Sequence, residues 1–581
     1  MKDTDPSIES PGRWKRLRRA LFRWYYRVKY VPFAQERRRR RENRERGFLV
    51  IQVDALAHDD LLLALRQGFA PNLNRLLERD RWDLRRFPAG LPSATPAAQA
   101  AIFFGTKDRI PAFRYYEKPE GRVIVGSRPA DVQHIRDRLP ERGILEGGSG
   151  YVNIYDGGAD RAVFTLAARR PQPFLEKMGG GRLALLALLH PVRIARMVLA
   201  SLWEYLVEEW NRLASQFRGQ ATYYWWYLPI LHIGSNVVLR ELQTLAVLLD
   251  IYTGVPRIYT TYNAYDEFAH HFGPRSRPAL ASVRALDRRI GEILRMLRRF
   301  PGRPYDLYIL SDHGQTPSVP YRVVYGETLG ETLRAATRVG VLALAGTGDY
   351  APEVPDVIDF LARELEEVSA ETGPTAGRAG RRAGRWLRRQ YRIFPLVAEN
   401  VSDSEEEPIV VTYSSSLAHV YWREPARPLT FEEIRQDPDR RALYYFLVAH
   451  AGIGAVITRV LDGAHVETIR GRTLISPDGE MEVIEGDDPL LHYAPTAVER
   501  RAIAGLVQWD NAGDIVLFGA YDPENDRCIC FDDQVGAHGA MGGLQSWPFL
   551  MTPRGLVPAD HEINDPLDLH PLFTRYTQDR S

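Results

Sequence analysis

The stretch YDLYILSDHGQTPS, residues 305–318, decides the fold that the sequence predicts. Its first half is a short run of apolar and aromatic residues, which is typical of a buried strand. The run ends in Asp312 and His313, two side chains that can each offer a lone pair to a metal ion. A strand followed by an ordinary polar turn is the simpler interpretation, and the rest of the chain has to decide between the two.

Two other strand-like runs also end close to such side chains. FLVIQVD (48–54) ends in Asp54, and TGVPRIYTTY (253–262) is followed by Asp266 and His270. Helical patterns lie between the runs, and this alternation predicts an α/β fold with a mostly parallel central sheet flanked by helices. Sheets of this kind place their sites outside the carboxyl ends of the strands.

Composition limits the class of protein. At 581 residues the chain is too long for one hydrophobic core, and its 45% hydrophobic and 26% charged residues are ordinary for a folded protein. Cys528 and Cys530 are its two cysteines, which excludes a disulfide framework or a cysteine-rich zinc site and favours a reducing compartment. No secretory signal is visible. We therefore expect a cytoplasmic location.

The charge is distributed unevenly along the chain. Residues 1–46 hold 16 Lys/Arg and 6 Asp/Glu, whereas the remainder holds 60 and 68. Within this arm, WKRLRRALFRWYYRVKY (14–30) places aromatic and apolar side chains on one helical face and basic side chains on the other. Such a helix can lie on an anionic membrane, pack on its own protein, or, less readily, meet nucleic acid. We expect the first, at the inner face of the membrane.

The pattern divides the chain into six segments. These are a basic arm (1–47), a first core segment (48–171), an apolar and aromatic helical insertion (172–250), a second core segment (251–350), a variable insertion (351–408) and a third core segment (409–581). Residues 219–239 carry no formal charge, but a proline and several polar residues interrupt them. We therefore interpret 172–250 as a cap over the site, with a membrane span or ordinary core as alternatives.

Metal chemistry is suggested by residue type and spacing. If their segment is helical, Asp266 and His270 share one face at positions i and i+4. Later in the chain, GAHGAMGG contributes His538. Together with the two strand ends these are enough carboxylate and imidazole ligands for two divalent ions, with zinc the best match and manganese or iron as alternatives.

A hydroxyl completes the set. Thr95 stands just before an apolar helix in LPSATPAAQAAIFFGT, where a metal could deprotonate it and helix amides could bind phosphate. Each feature also has an ordinary explanation, such as a helix N-cap, a strand-end cap or a core histidine. We interpret His58 and His271 as structural residues of that kind.

The order of the motifs resembles the type I phosphodiesterase/nucleotide pyrophosphatase family of the alkaline phosphatase superfamily, with greatest similarity to a prokaryotic branch. The resemblance covers 48–115, 255–320 and 505–550, and the motifs that carry it are VDAL (53–56), PSATPAAQAAIFFGT (92–106), DEFAHHFGP (266–274), SDHG (311–314) and AHGAMGG (537–543).

The resemblance implies an alkaline-phosphatase-like fold and a role for each ligand. One zinc would be surrounded by Asp54, Thr95, Asp312 and His313, and the other by Asp266, His270 and His538. Thr95 would attack phosphorus and form a covalent intermediate that water then hydrolyses. The implied function is a phosphodiesterase acting on a nucleotide or lipid-linked phosphate ester. Alternatives are a phosphomonoesterase, a phosphotransferase, a nuclease and a non-enzymatic membrane-bound scaffold.

Two departures from related patterns bear on the substrate. The family places an Asn in the loop after the nucleophile helix, whereas IPAFRYYEK (110–118) has none. We expect Arg114 to bind the substrate phosphate in its place, with a surface ion pair as the alternative. The sulfatase motif requires an Arg after the nucleophile, and SATPAA lacks it.

Overall fold

The computed structural model describes residues 45–169, 239–337, 341–344 and 407–576, together with the isolated helical positions 195 and 199. The predicted arm helix at 14–30, most of the 172–250 segment and most of the 351–408 insertion lie outside these ranges. Our interpretations of those three segments therefore stay predictions.

The strands are β1 (Gly47–Val53), β2 (Trp82–Arg86), β3 (Arg114–Glu117), β4 (Arg122–Val125), β5 (Ser149–Tyr151), β6 (Arg161–Val163), β7 (Arg257–Tyr262), β8 (Tyr305–Leu310), β9 (Thr316–Pro320), β10 (Val341–Leu344), β11 (Ile409–Ser414), β12 (Leu417–Trp422), β13 (Ile453–Val460), β14 (Gly463–Thr468), β15 (Gly471–Ile475), β16 (Met481–Gly486), β17 (Ile515–Gly519), β18 (Tyr521–Asp522), β19 (Arg527–Cys530), β20 (Gly536–Ala537) and β21 (Phe549–Pro553). The α-helices are α1 (His58–Arg66), α2 (Pro71–Glu78), α3 (Thr95–Phe104), α4 (Pro129–Arg138), α5 (Arg240–Thr253), α6 (Ala264–Phe272), α7 (Arg277–Arg299), α8 (Tyr321–Tyr325), α9 (Leu329–Ala336), α10 (Phe431–Gln436), α11 (Pro438–Ala449), α12 (Ala497–Gln508) and α13 (His570–Thr574).

The central sheet has seven strands in the order β2-β21-β8-β1-β7-β5-β6. The strands from β8 to β6 are parallel to their neighbours. At the other edge, β21 and β2 pair antiparallel. The α/β fold with a mostly parallel central sheet, predicted from the alternation of strands and helices, is therefore confirmed.

The burial of strand β1 on both faces explains why its sequence is apolar and does not alternate with polar residues. All seven of its residues are buried. Phe48 and Val50 enter the core on the face covered by α3, whereas Leu49 and Ile51 enter the core formed with α5 and α7. A strand covered by helices on both faces has no solvent side, so every position takes an apolar side chain or a paired polar one.

Helix α5 crosses the segment boundary that we drew at 250. It runs from Arg240 to Thr253, and its apolar side chains lie in the same core cluster as those of β1 and α7. Gly254 ends the helix in a left-handed conformation with φ of 85°. The last turns before 250 therefore belong to the core.

A second sheet was not predicted. It has eight strands in the order β10-β11-β12-β17-β13-β14-β15-β16, and every pairing except β10 with β11 is antiparallel. Tight hairpins join β11 to β12 and β13 to β14 to β15. Because antiparallel pairs need only short turns, the strand–helix alternation that revealed the first sheet is absent here. Segment 409–581 thus supplies every strand of this sheet except β10, as well as strand β21.

Among the described residues, no helix combines the length and the apolar character that crossing a bilayer requires.

Candidate metal centre

Two strand ends bring the first ligand group together. Asp54 directly follows β1, and Asp312 and His313 follow the neighbouring strand β8. A ligand atom from each of these three side chains lies within 4.8 Å of the others. All three are buried, so the packed strands fix their positions.

A second group adjoins the first. It consists of Asp266 and His270 on helix α6 and His538 in the loop after β20, and its ligand atoms again lie within 4.8 Å of one another. The ring of His538 stacks on that of His313 at 4.2 Å between centroids and lies 5.0 Å from that of His270. Apart from Thr95, the six candidate metal ligands therefore lie in two neighbouring groups.

Each histidine is held in the tautomer that a metal ligand needs. Nδ1 of His270 donates to the Gly536 carbonyl at 2.8 Å, and Nδ1 of His538 donates to the Ser93 carbonyl at 2.8 Å. Nδ1 of His313 donates to its neighbour's carbonyl at 3.0 Å. Because a carbonyl only accepts, Nδ1 carries a hydrogen in all three rings, and Nε2 is therefore the ring nitrogen that could bind a metal ion.

Electrostatics in the first group favour a cation. Oδ2 of Asp312 is buried without a hydrogen-bond partner. Burial, followed by the negative charge of Asp312, holds the pKa of Asp54 well above its usual range. Two neighbouring buried carboxylates are costly unless positive charge compensates them. A divalent ion would supply that charge.

The second group shows the same need. Nε2 of His270 and Nε2 of His538 face each other at 3.2 Å. Burial, followed by the neighbouring His313, lowers the pKa of His538 well below its usual range, so the ring is neutral. Two ring nitrogens this close require a proton or a metal ion between or beside them. Neutral imidazoles with a carboxylate are a donor set that suits zinc.

Gln315 is a site residue that the sequence reasoning missed. Its Nε2 donates to Oδ1 of Asp266 at 2.6 Å and to the backbone carbonyl of the same residue at 3.2 Å. Although burial opposes it, the imidazole of His270 lowers the pKa of Asp266, which therefore stays ionised. Gln315 lies one residue beyond the SDHG motif, and this proximity was the available signal.

Thr95 is the first residue of helix α3 rather than its N-cap. The N-cap is Ala94, which has no side-chain capping bond. Thr95 Oγ1 instead donates to Oδ1 of Asp54 at 3.1 Å and lies 3.1 Å from Nε2 of His313. The ordinary explanation for a threonine before a helix does not apply, and its hydroxyl belongs to the first ligand group.

Backbone conformation fixes the two strand ends against each other. Ala55 has a φ of 58°, and from this left-handed conformation its amide donates to Oδ1 of Asp312 at 3.3 Å. Gly314 packs so closely that a Cβ atom there would lie 2.2 Å from the Leu544 carbonyl oxygen. The glycine of SDHG is thus required by close packing beneath the ligands.

The hairpin between β11 and β12 holds the last ligand. The amide of His538 donates to Oγ of Ser415, and Oγ of Ser416 donates to the carbonyl of His538 at 2.9 Å. Gln545 accepts from the same Ser416 hydroxyl at 2.8 Å. The second sheet therefore contributes to the site by positioning His538.

Arg114, which we expect to bind the substrate phosphate, forms an ion pair with a buried carboxylate. Nη1 of Arg114 donates to Oδ2 of Asp532 at 3.1 Å and to the Tyr413 carbonyl at 3.3 Å. Asp532 also accepts the amide of Ser415, next to the residues that hold His538. These bonds link Arg114 to the hairpin that holds His538, and its expected contact with the substrate phosphate stays a prediction.

The remaining histidine predictions are consistent with the geometry. His58 pairs with Asp59 at 2.7 Å, and the ring of His271 packs edge-on against Phe272. Among the described residues, a third carboxylate–histidine group is formed by Glu117, Glu120 and His134.

The chain is similar in structure to three solved hydrolases at low identity. Phosphonoacetate hydrolase from Sinorhizobium meliloti 1021, in complex with phosphonoformate, is 14% identical, with 92% of this chain and 96% of that chain covered and a TM-score of 0.39. Inactive murine ectonucleotide pyrophosphatase/phosphodiesterase 5, in complex with AMP, is 12% identical, with 92% and 95% covered and a TM-score of 0.41. The human form of that enzyme is 11% identical, with 91% and 94% covered and a TM-score of 0.41.

No curated protein matches the chain in sequence. The family model for type I phosphodiesterase / nucleotide pyrophosphatase matches residues 212–398, which include Asp266, His270, Asp312 and His313. The resemblance inferred from the motif order is confirmed over that segment, which contains four of the candidate metal ligands. The matched segment is similar to the type I phosphodiesterase / nucleotide pyrophosphatase family, and this similarity supports a phosphoric ester hydrolase as the class of enzyme.

Proposed function

We propose that the protein is a metal-dependent phosphodiesterase that uses Thr95 as its nucleophile and holds two divalent metal ions. One ion would be held by Asp54, Asp312 and His313 with Thr95, and the other by a second group of Asp266, His270 and His538. Zinc suits this mixture of imidazole and carboxylate donors best, with manganese or iron as alternatives.

One observation carries the proposal. Thr95 Oγ1 is 3.1 Å from both Asp54 and His313, at the N-terminus of a ten-residue helix. The amide groups in the first turn of a helix lack partners within it and favour an anion. A hydroxyl in this place adjoins both its proton acceptor and a position suited to a phosphate group.

The residues of the site would act in a defined order. The Asp54 carboxylate accepts the hydroxyl hydrogen bond and is placed to receive the proton as Thr95 Oγ attacks phosphorus. The bond from phosphorus to the leaving oxygen breaks, that oxygen takes a proton from water, and the phosphoryl group with its remaining ester substituent stays bonded to Thr95. Attack by water on the same phosphorus then releases the product and restores the hydroxyl. Bound divalent ions would supply positive charge to the attacking and leaving oxygens.

The proposed substrate is a phosphate diester of a nucleotide or of a lipid head group. The nucleotide assignment follows from the family, and the lipid assignment follows from the basic amphipathic sequence at 14–30. That sequence would hold the enzyme at the cytoplasmic face of an anionic membrane.

Hydrolysis of bis-p-nitrophenyl phosphate and of p-nitrophenyl phosphate tests the proposal, with zinc or manganese added. We expect faster turnover of the diester, its loss in Thr95→Ala, and retention of a measurable fraction in Thr95→Ser, which keeps a hydroxyl. Metal content and melting temperature of the variants show whether the site remains loaded and folded.

The other outcomes identify the alternatives. Preference for the monoester would make the protein a phosphomonoesterase. Covalent labelling of Thr95 without hydrolysis would indicate a phosphotransferase. Equal turnover by Thr95→Ala and the unchanged protein would remove Thr95 as nucleophile.

A further inference from the structure

A cavity of about 260 Å³ lies between helices α2 and α7, outside the metal centre. Four arginines line its walls, and two leucines contribute apolar surface. These residues are Arg75, Arg295, Arg298, Arg299, Leu76 and Leu294. Guanidinium groups gathered in one concave space raise the local positive potential and attract anions.

The close approach of the two helices gives the cavity a fixed shape. A Cβ atom on Gly291 of α7 would lie 2.8 Å from the side chain of Asn72, so the glycine allows the contact. Asp287 accepts the amides of Asn72 and Leu73 at 3.0 and 2.9 Å. These bonds tie the start of α2 to α7 beside the arginine-lined cavity.

Carboxylates near the cavity are already engaged in this packing. Asp80 pairs with Arg298. Asp287 faces Arg75 but is occupied by the two backbone amides, and Glu292 pairs with Arg289 on α7. None of the described residues that line the cavity is Asp or Glu, so the formal charge of the lining itself is positive.

The cavity lies toward the amino-terminal ends of the parallel strands, whereas the candidate metal centre lies at their carboxyl ends. Arg299 ends α7 shortly before β8 begins at Tyr305, whereas Asp312 follows the other end of β8. The basic arm leads into β1 at these same amino-terminal ends, where Arg303 donates to the carbonyl of Glu45. A ligand in the cavity would not take part in the reaction at Thr95.

We propose that this cavity binds the phosphate group of a compact anion. Guanidinium groups match phosphate oxygens in geometry and charge, and they do so better than ammonium groups. The leucines suit an adjoining apolar portion, such as the glycerol carbons of a lipid. The same chemistry would accept an anionic phospholipid head group or a soluble phosphate compound.

A purely structural role for the arginines makes a different prediction. Cations near the end of a helix stabilise it through the helix dipole, and then their removal would lower stability without changing anion binding. If the arginines are instead gathered for a ligand, removing two of them relieves repulsion and leaves the melting temperature unchanged or raised.

The test compares two double variants of the full-length, metal-loaded protein. Arg75→Gln/Arg295→Gln removes two exposed charges that line the cavity, one on α2 and one on α7, and Arg284→Gln/Arg288→Gln removes two exposed charges of α7 outside it. Calorimetric titration with inorganic phosphate should show a binding event that weakens about tenfold or more in the cavity variant and not in the matched variant. Phosphate binding at the metal centre and ester hydrolysis should be the same in all three proteins.

Vesicle binding distinguishes the two sources of phosphate. Weaker sedimentation of the cavity variant than of the matched variant with phosphatidic acid in phosphatidylcholine would assign a lipid head group. Equal sedimentation, with phosphate binding still lost, would assign a soluble ligand. Equal behaviour of the two variants with both probes, or a fall in melting temperature with unchanged phosphate binding, would overturn the proposal.

Discussion

Gln315 Nε2 donates a hydrogen bond of 2.6 Å to Oδ1 of Asp266, which is one of the candidate metal ligands. Its second bond, to the backbone carbonyl of Asp266, fixes the orientation of the amide. Partners of this kind orient metal ligands, and losing them costs about 10- to 100-fold in metal affinity.

We therefore expect Gln315→Met to lower the affinity for one of two metal ions about tenfold or more and to leave the affinity for the other unchanged. Competition with a chelator for zinc measures both affinities. Gln508→Met is the matched control. Gln508 also donates to two carbonyls, those of Val460 and Gly463, but these belong to the turn between β13 and β14, which contributes no candidate ligand. Equal losses in the two variants would make Gln315 a packing residue.

Replacement of Gly314 should disturb the ligands through the backbone. In Gly314→Ala the new methyl group would meet the Leu544 carbonyl oxygen and the side chain of Ala57. We expect a loss of about 2 kcal/mol or more in unfolding free energy, together with lower metal content. Gly505→Ala, in helix α12 with open space around its Cβ, should instead stabilise the protein by about 0.5–1 kcal/mol. Denaturant titration of both variants checks the contrast, and an undisturbed Gly314→Ala would contradict the close packing.

The pair formed by Arg114 and Asp532 should affect stability more than substrate affinity. Removal of one partner of a buried ion pair costs about 3–5 kcal/mol, because the other charge is left uncompensated. Arg114→Met should therefore lower the melting temperature, and the double variant Arg114→Met/Asp532→Leu should recover some of the loss. A KM increase with unchanged stability would restore the sequence-based prediction that Arg114 binds substrate.

Metal removal should expose the repulsion between the two buried carboxylates of the first group. With a chelator present, we expect a lower melting temperature than with zinc, since a ligand at 100 times its Kd adds about 2.7 kcal/mol of stability. Asp312→Asn should raise the melting temperature of the metal-free protein, because it relieves the charge beside Asp54. The same variant should bind metal more weakly. A metal-free Asp312→Asn no more stable than the metal-free parent would show that the two charges are otherwise compensated.

Acid should destabilise the second sheet through His419. Burial lowers its pKa to about 3, and its Nδ1 accepts the Gly513 amide at 2.9 Å. Because the folded-state pKa is below the unfolded value of about 6.5, the stabilisation is complete above that pH and is lost as the pH falls through it.

Between about pH 6.5 and pH 4 the expected loss is on the order of 3 kcal/mol. His419→Asn keeps an acceptor and removes the titration, so its unfolding free energy should vary less with pH over this range. Parallel pH profiles for the two proteins would contradict this account.

The sequence by itself determined those features of the protein in which chemistry and local pattern coincide. Apolar runs ending in Asp54 and in Asp312-His313 predicted the parallel strands, because a strand buried on both faces has no polar alternation. The i,i+4 spacing of Asp266 and His270 predicted their common helical face. These features depend on neighbours along the chain.

Tertiary structure alone decided the rest, because the relevant partners are distant in sequence. Arg114 meets Asp532 across 418 positions, and its charge gave no sign of whether a phosphate or a carboxylate would face it. The hairpin residues Ser415 and Ser416 hold His538 through hydrogen bonds to its backbone, and residue type alone does not predict these bonds. The arginine-lined cavity forms only where α2 and α7 approach at Gly291. Local patterns predict which elements form, whereas long-range packing determines which side chains remain free to bind a ligand.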